Sequence, residues 1–404
     1  MRALRSYTST YRGLTALGVA GLMTCLLAGC RSHDFPDYPA GYREFAYVTN
    51  GGSNTVSVFD AINLRLDRQL QVGQNPTGIT ANPKRNEVYV VNTGGSQGSV
   101  QGNGSLSVID TEKNAVAATI AVHKLPYFVD VDPTGDVAYV ANSGSDSVSV
   151  IDLNTRREIE AIPVGDGPGE AKIASDGKSL VVSNRGANSV TVLGPNGSNR
   201  DWKVRATLTG CPGATDVAIL KDSTKAFVAC SAGHQVMVVQ LAKTADANGA
   251  ARQDAVETML DVGRAPVHVA VKPDGGEVFI SNFESNTISE ITATTDDVSG
   301  AYTMGSHPTR GLVSGDNSLL YVSNFESQEV TVYSIDDGKR VGPSIHVGDG
   351  PDAMAFSSNG KLLFVVDARS GDVAVVRTSD RSLFTLLPSG RQPNAITVKS
   401  FTAH

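Results

Sequence analysis

Between Val137 and Lys178 the chain alternates short apolar runs with clusters of Gly, Asn, Asp and Ser. Residues 137–141, 147–152, 158–164 and 169–174 are the apolar runs, the last introduced by Pro168. Their β-branched and aromatic content predicts four strands, and the polar clusters between them predict turns. A single four-stranded meander would be marginal by itself. The pattern therefore predicts companions against which it can pack.

The companions are visible in the spacing. Tyr47, Tyr89, Tyr139, Val181, Phe227, Phe279, Tyr321 and Phe364 open equivalent runs at intervals of 42, 50, 42, 46, 52, 42 and 43 residues. Four strands per repeat of roughly 40–50 residues predict an all-β fold, a β-propeller. Innermost strands are expected to open at Pro76, Pro126, Pro168, Pro212, Pro266, Pro308, Pro351 and Pro393. The last has no following unit and the first unit has no preceding innermost strand. Pairing residues 394–399 with the N-terminal unit closes the ring and removes two open edges. Eight blades of four antiparallel strands are expected, with seven as the alternative.

Residues 1–29 lie outside that repeat. Arg2, Arg5 and Arg12 precede an apolar stretch over residues 13–28, the pattern of an export signal. Leu27-Ala28-Gly29-Cys30 resembles the lipobox of bacterial lipoproteins, which implies lipidation at Cys30; a plain cleaved signal is the alternative. Arg31 after the cysteine implies, by the same resemblance, sorting to the outer membrane, facing the periplasm or the cell surface. Residues 30–44 then form a lipidated tether, and residues 45–404 the propeller. The formal charge is −7, and removing the three signal arginines leaves −10. With no basic run, nucleic-acid binding is not expected. Cys211 and Cys230 fall at the same end of one expected hairpin, so an oxidising compartment permits a disulfide; two free buried thiols are the alternative.

Tyr47-Val48-Thr49-Asn50 recurs as Tyr89-Val-Val-Asn92, Tyr139-Val-Ala-Asn142, Val181-Val-Ser-Asn184, Phe279-Ile-Ser-Asn282 and Tyr321-Val-Ser-Asn324. On these motifs the chain resembles the YVTN-repeat β-propellers. Cys230 and Asp367 replace the closing Asn in two units. The Asn is read as structural, bonding nearby turn amides. Three insertions interrupt the repeat. Residues 93–104 are expected near the channel mouth, residues 194–203, with Trp202, as outer decoration, and residues 241–257 as a helical turn.

A ligand would meet the loops that converge on the channel. Ionisable residues expected there are Arg185, Arg264, His268, His307, Arg310, Asp349, Asp352 and Arg391, with Glu170 across the ring and His123 further round. Two imidazoles and two guanidinium groups on neighbouring units could hold an anion, a haem-like ligand or a metal ion. Solvated mouth residues are the alternative reading. The identical segments Ser281-Asn-Phe-Glu-Ser285 and Ser323-Asn-Phe-Glu-Ser327 offer Phe283, Glu284, Phe325 and Glu326 as a partner-binding patch, although recent duplication explains the identity equally well.

Linear catalytic motifs are absent. The first reading is therefore a non-enzymatic, lipid-anchored envelope protein that binds a protein partner or small ligand, with no evident cofactor. The alternative is a periplasmic enzyme or cofactor protein. The resemblance implies a fold similar to periplasmic lactonases, the quinoprotein amine dehydrogenase heavy chain and the haem-binding propeller of bacterial nitrite reductases. Asp130 and Asp216 on innermost strands would serve a metal-dependent lactonase, and His268 or His307 a haem.

Overall fold

In the computed structural model the residues described are 38–95, 102–198, 200–242 and 252–403. The expected signal, Cys30 and most of the tether lie outside them. So do the middle of the 93–104 insertion and residues 243–251 of the stretch expected as a helical turn, whose described end is instead strand, beginning at Ala255.

Eight sheets are present, and blades are numbered here by the first complete hairpin each contains. The innermost strands of blades 2–8 are Pro76–Ala81, Pro126–Val131, Pro168–Ile173, Ala214–Ile219, Pro266–Val271, Pro308–Val313 and Pro351–Phe356. Blade 1 is closed as expected, with Pro393–Thr402 hydrogen-bonded to Tyr42–Asn50. The outer strand of blade 7 is broken into Lys339–Arg340 and Ile345–His346, both paired with Glu329–Ser334. The second and third strands of each blade are buried because adjacent blades cover both faces. Tyr47, Tyr89, Tyr139 and Tyr321 open equivalent strands and are all fully buried, which explains the periodic aromatic.

Four details correct the sequence reading. The seven-blade alternative fails. Blade 5 opens at Ala214, because Cys211-Pro212-Gly213 form the loop before it. The insertion at 194–203 lengthens the hairpin of Ser189–Ser198 and Asp201–Thr209. Trp202 is only 2% exposed there and meets Tyr139 of blade 3 edge-on at 5.1 Å, so the insertion packs against the core.

The closing Asn residues also bond different partners from those expected. Asn50, Asn142, Asn184 and Asn282 donate through Nδ2 to hydroxyls in the next strand, reaching Ser57, Ser149, Thr191 and Ser289 at 2.8–2.9 Å. A glycine three residues before the innermost strand lies against Asn50, Asn184 and Asn282, whereas His123 holds that position beside Asn142. A Cβ added at Gly165, Gly263 or Gly390 would come within 2.6–2.7 Å of Asn184, Asn282 or Asn50. In blade 5 the glycine and asparagine positions are Cys211 and Cys230, bonded as a disulfide with Cα atoms 4.8 Å apart.

Blade 8 has Asp367 at this position, fully buried and lacking a hydroxyl at Ala374. Burial and the facing Asp372 carboxylate push Asp367 up to about 8. Its proton is bound in the folded chain but not in the unfolded one between about pH 4 and 8, so this group makes stability fall as pH rises through that window. Asp367→Asn removes the titration and gives Asp372 a donor. It is expected to raise stability by roughly 2 kcal/mol at pH 8, with the gain shrinking towards pH 4. Urea unfolding across pH measures this, and a gain independent of pH would refute the electrostatic cause.

Candidate functional site

The innermost strands leave one edge unpaired around the central channel, and their free amides need acceptors. Side chains two residues into each strand supply several of them. Glu170 of blade 4 accepts from the Val217 amide of blade 5 at 3.2 Å. Asp216 of blade 5 accepts from Val269 of blade 6 at 2.7 Å, and His268 Nδ1 of blade 6 from Gly311 of blade 7 at 3.2 Å. One blade earlier, Asp130 accepts from Ile173 at 3.1 Å. Glu170, Asp216 and His268 are thus fixed in the channel by the same rule from blade to blade, while Asp130, four residues into its strand, bonds across to the next blade without lining the cavity.

Glu170, Asp216 and His268 line a cavity of about 890 Å³ along the channel. The positions two residues into the eight innermost strands are Gly78, Phe128, Glu170, Asp216, His268, Arg310, Ala353 and Ala395. Four consecutive blades therefore present ionisable groups, and the opposite arc is neutral. Lys172 lies below Glu170, with its ammonium 4.4 Å from the centre of the Phe128 ring. Arg310 stands 3.5 Å from Asp216 and 3.7 Å from Asp352. Tyr127 remains 50% exposed at the cavity wall.

Electrostatics separates the roles of these groups. Burial, reinforced by Asp216, raises Glu170 to about 7, although Lys172 and Arg310 oppose the shift. Burial also raises Asp130, partly offset by Lys172. For Lys172 burial acts downward, but Glu170, Asp130 and Asp216 outweigh it and hold the ammonium above its ordinary range. Arg310 is held up in the same way by Asp352, Asp216 and Glu170, against its own burial. Burial and the Arg310 charge lower His268 to about 3, leaving a neutral imidazole.

Of the expected rim set, Glu170, His268, Arg310 and Asp352 come together in the channel. The others do not join them. Arg264 is exposed and donates to the Glu284 carbonyl at 3.3 Å, while Glu284 itself is exposed. His307 stacks on Phe283 with centroids 4.4 Å apart. Arg369 covers Phe325 at 4.4 Å and pairs with both Glu326 and Asp349, so Phe283 and Phe325 are each capped from within the molecule. Arg391 lines a separate cleft of about 760 Å³ with Arg369. Arg185 is exposed, and His123 pairs with Glu158 at 3.1 Å. Sequence reasoning missed Lys172 and Tyr127, and it set Asp216 aside. Aligning blade 5 at Ala214 would have placed Asp216 level with Glu170, His268 and Arg310.

The haem reading does not fit these residues. A His268 ring that accepts at Nδ1 carries its proton on Nε2, so Nε2 has no lone pair for iron. His307 is outside the channel lining, stacked on Phe283. Among the described residues no cluster of three or more His, Cys, Asp or Glu side chains could hold a metal ion.

The sequence model of the family described as "Lactonase, 7-bladed beta-propeller" matches residues 44–164 and 290–393, just over half of the chain. A search of curated proteins finds no match. Among solved structures, the chain is similar to the periplasmic gluconolactonase of Pseudomonas aeruginosa, with 18% identity and a TM-score of 0.57, covering 88% of this chain and 98% of that one. A Bacteroides fragilis protein named as a 6-phosphogluconolactonase has 14% identity and a TM-score of 0.59, covering 90% and 99%. Dihydro-heme d1 dehydrogenase NirN, solved in complex with DHE, has 16% identity and a TM-score of 0.68, covering 92% and 78%. At these identities the structural likenesses establish a shared fold.

The family match overturns the reading of a non-enzymatic binding or scaffold protein. That reading rested on missing linear motifs, whereas a propeller draws its site from one position in each of several blades. Residues 165–289, between the two matched segments, contain Glu170, Lys172, Asp216 and His268.

Proposed function

Because this chain belongs to the lactonase family of β-propellers, while having eight blades, we propose that it hydrolyses lactones in its central channel. The observation that carries this reading is Glu170, raised to about 7 beside Asp216 and held in the same cavity as Arg310 and His268. A carboxylate near neutral pH is matched to general-base work. In the proposed reaction ionised Glu170 takes a proton from water as the water oxygen bonds to the lactone carbonyl carbon. His268, donating from Nε2, and Arg310 stabilise the negative oxygen that forms. The ring carbon–oxygen bond then breaks, and Glu170 returns the proton to the departing oxygen, leaving an open-chain hydroxy acid.

The purified protein is expected to open D-glucono-δ-lactone faster than the spontaneous reaction, followed by pH-stat titration with the background subtracted. Absence of turnover across a panel of five- and six-membered lactones would sink the proposal. We further propose a YVTN-type lipoprotein, exported and held to an envelope membrane at Cys30, with Leu27-Ala28-Gly29-Cys30 as its support. Mass spectrometry of the mature N-terminus tests this, and an unmodified N-terminus upstream of Cys30 refutes it. Among the described residues no helix is long and apolar enough to cross a membrane.

A further inference from the structure

We infer that the channel selects uncharged lactones and rejects those bearing a phosphate, an inference that rests on the lactonase reading above. The channel's cations are already engaged by its carboxylates. Lys172 and Arg310 are the two cationic side chains in the lining; Arg310 is ion-paired on two sides, and Lys172, over the Phe128 ring, lies in the field of three carboxylates. Arg310 lies between Asp216 at 3.5 Å and Asp352 at 3.7 Å. The charges that hold Lys172 up come from Glu170, Asp130 and Asp216.

An entering phosphate could pair with Arg310 only by displacing Asp216 or Asp352, and the displaced carboxylate would lose its cation. The displaced carboxylate would also face the incoming anion at short range in a partly dry cavity, where like charges repel strongly. The neutral arc offers no relief. At the level of the ionisable ring it presents Gly78, Ala353 and Ala395, backed by Ile79, Met354 and Ile396. Neutral His268 adds hydrogen-bonding capacity without positive charge. Arg185, the further cation whose field reaches Tyr127, is exposed outside the lining, where water screens it. Hydroxyl groups, by contrast, can donate to Asp352 or accept from Arg310 without breaking an ion pair. Rejection by misplaced like charge is a common source of specificity.

The test compares kcat/KM for D-glucono-δ-lactone with that for its 6-phosphate. The unphosphorylated lactone is expected to be favoured by about 100-fold or more. Asp352→Asn removes one of the two carboxylates beside Arg310 and is expected to narrow that preference about tenfold. Binding of D-gluconolactam and its 6-phosphate, measured by calorimetry, tests charge selection without turnover. Equal or faster opening of the phosphorylated lactone would overturn the inference and leave the lactonase reading standing. Tighter binding of the unphosphorylated lactam with no turnover of either lactone would support charge selection and count against the lactonase reading. Tighter binding of the phosphorylated lactam overturns the inference whatever the turnover.

Discussion

Glu170→Gln is expected to lower kcat/KM for lactone opening by about 10³-fold, equivalent to roughly 4 kcal/mol of transition-state stabilisation. The substitution is nearly isosteric, and the amide oxygen can still accept from the Val217 amide, so the blade 4 to blade 5 contact is retained. What disappears is the group that takes the proton from water. The pH profile separates this from a general loss of packing. Burial and Asp216 hold Glu170 at about 7, so in the wild type its ionised form grows as pH rises through 7, and the rate should climb and then level off. The variant should lose that rising limb together with the rate. Retention of activity within threefold, or an unchanged acidic limb, would exclude Glu170 as the base. Its neighbours then become candidates, beginning with Asp216, although both of its oxygens already have partners in Arg310 and the Val269 amide.

The second large effect is on stability and arises in blade 5. Removing the disulfide with Cys211→Ala and Cys230→Ala is expected to cost roughly 3 kcal/mol, the chain-entropy value for a loop of this length, set by a sequence separation of 19. In blades 1, 4 and 6 the same place is held by glycine against asparagine, and the asparagine is satisfied by a hydroxyl seven residues on. Blade 5 has Met237 there and Gln235 two residues earlier. Cys211→Gly with Cys230→Asn should therefore be no more stable than the alanine pair, because the new amide would be buried without a hydroxyl partner. Denaturant unfolding of both double variants, and of the wild type with and without reductant, measures these differences. Full recovery by the glycine–asparagine pair would show that the glycine–asparagine contact suffices by itself. No loss on reduction would show that the crossover into blade 5 is held by its packing.

Legibility in the sequence differed between the fold and the site. The ring was readable because each blade repeats the same apolar spacing and opens its second strand with a buried aromatic or β-branched residue. The pairing of the last strand with the first blade was readable as well, since both ends of the repeat lacked a partner. In the site, His268 and Arg310 were recognised as equivalent because a proline marks the start of both strands. Asp216 was not grouped with them, since Pro212 lies two residues ahead of the true opening at Ala214. His307, Arg264 and Arg391 were grouped with the channel because they flank the same prolines. Residues before the proline sit on connecting loops, whereas those two positions after it face the channel.

The sequence by itself determined the repeat, its four-strand content and the closure of the ring. These follow from local periodicity and from the need of a sheet edge to find a partner, both carried by nearby residues. The structure decided for eight blades over seven and for a bond between Cys211 and Cys230 over free thiols. Only the tertiary structure decided which charges meet. Glu170, Asp216, His268 and Arg310 lie 46, 52 and 42 residues apart in turn. They become neighbours because closing the ring brings four innermost strands side by side. Their ionisation was decided there too, since burial depends on what surrounds a group. A glutamate reads the same in any sequence until its solvent is replaced by a second carboxylate and the wall of a channel.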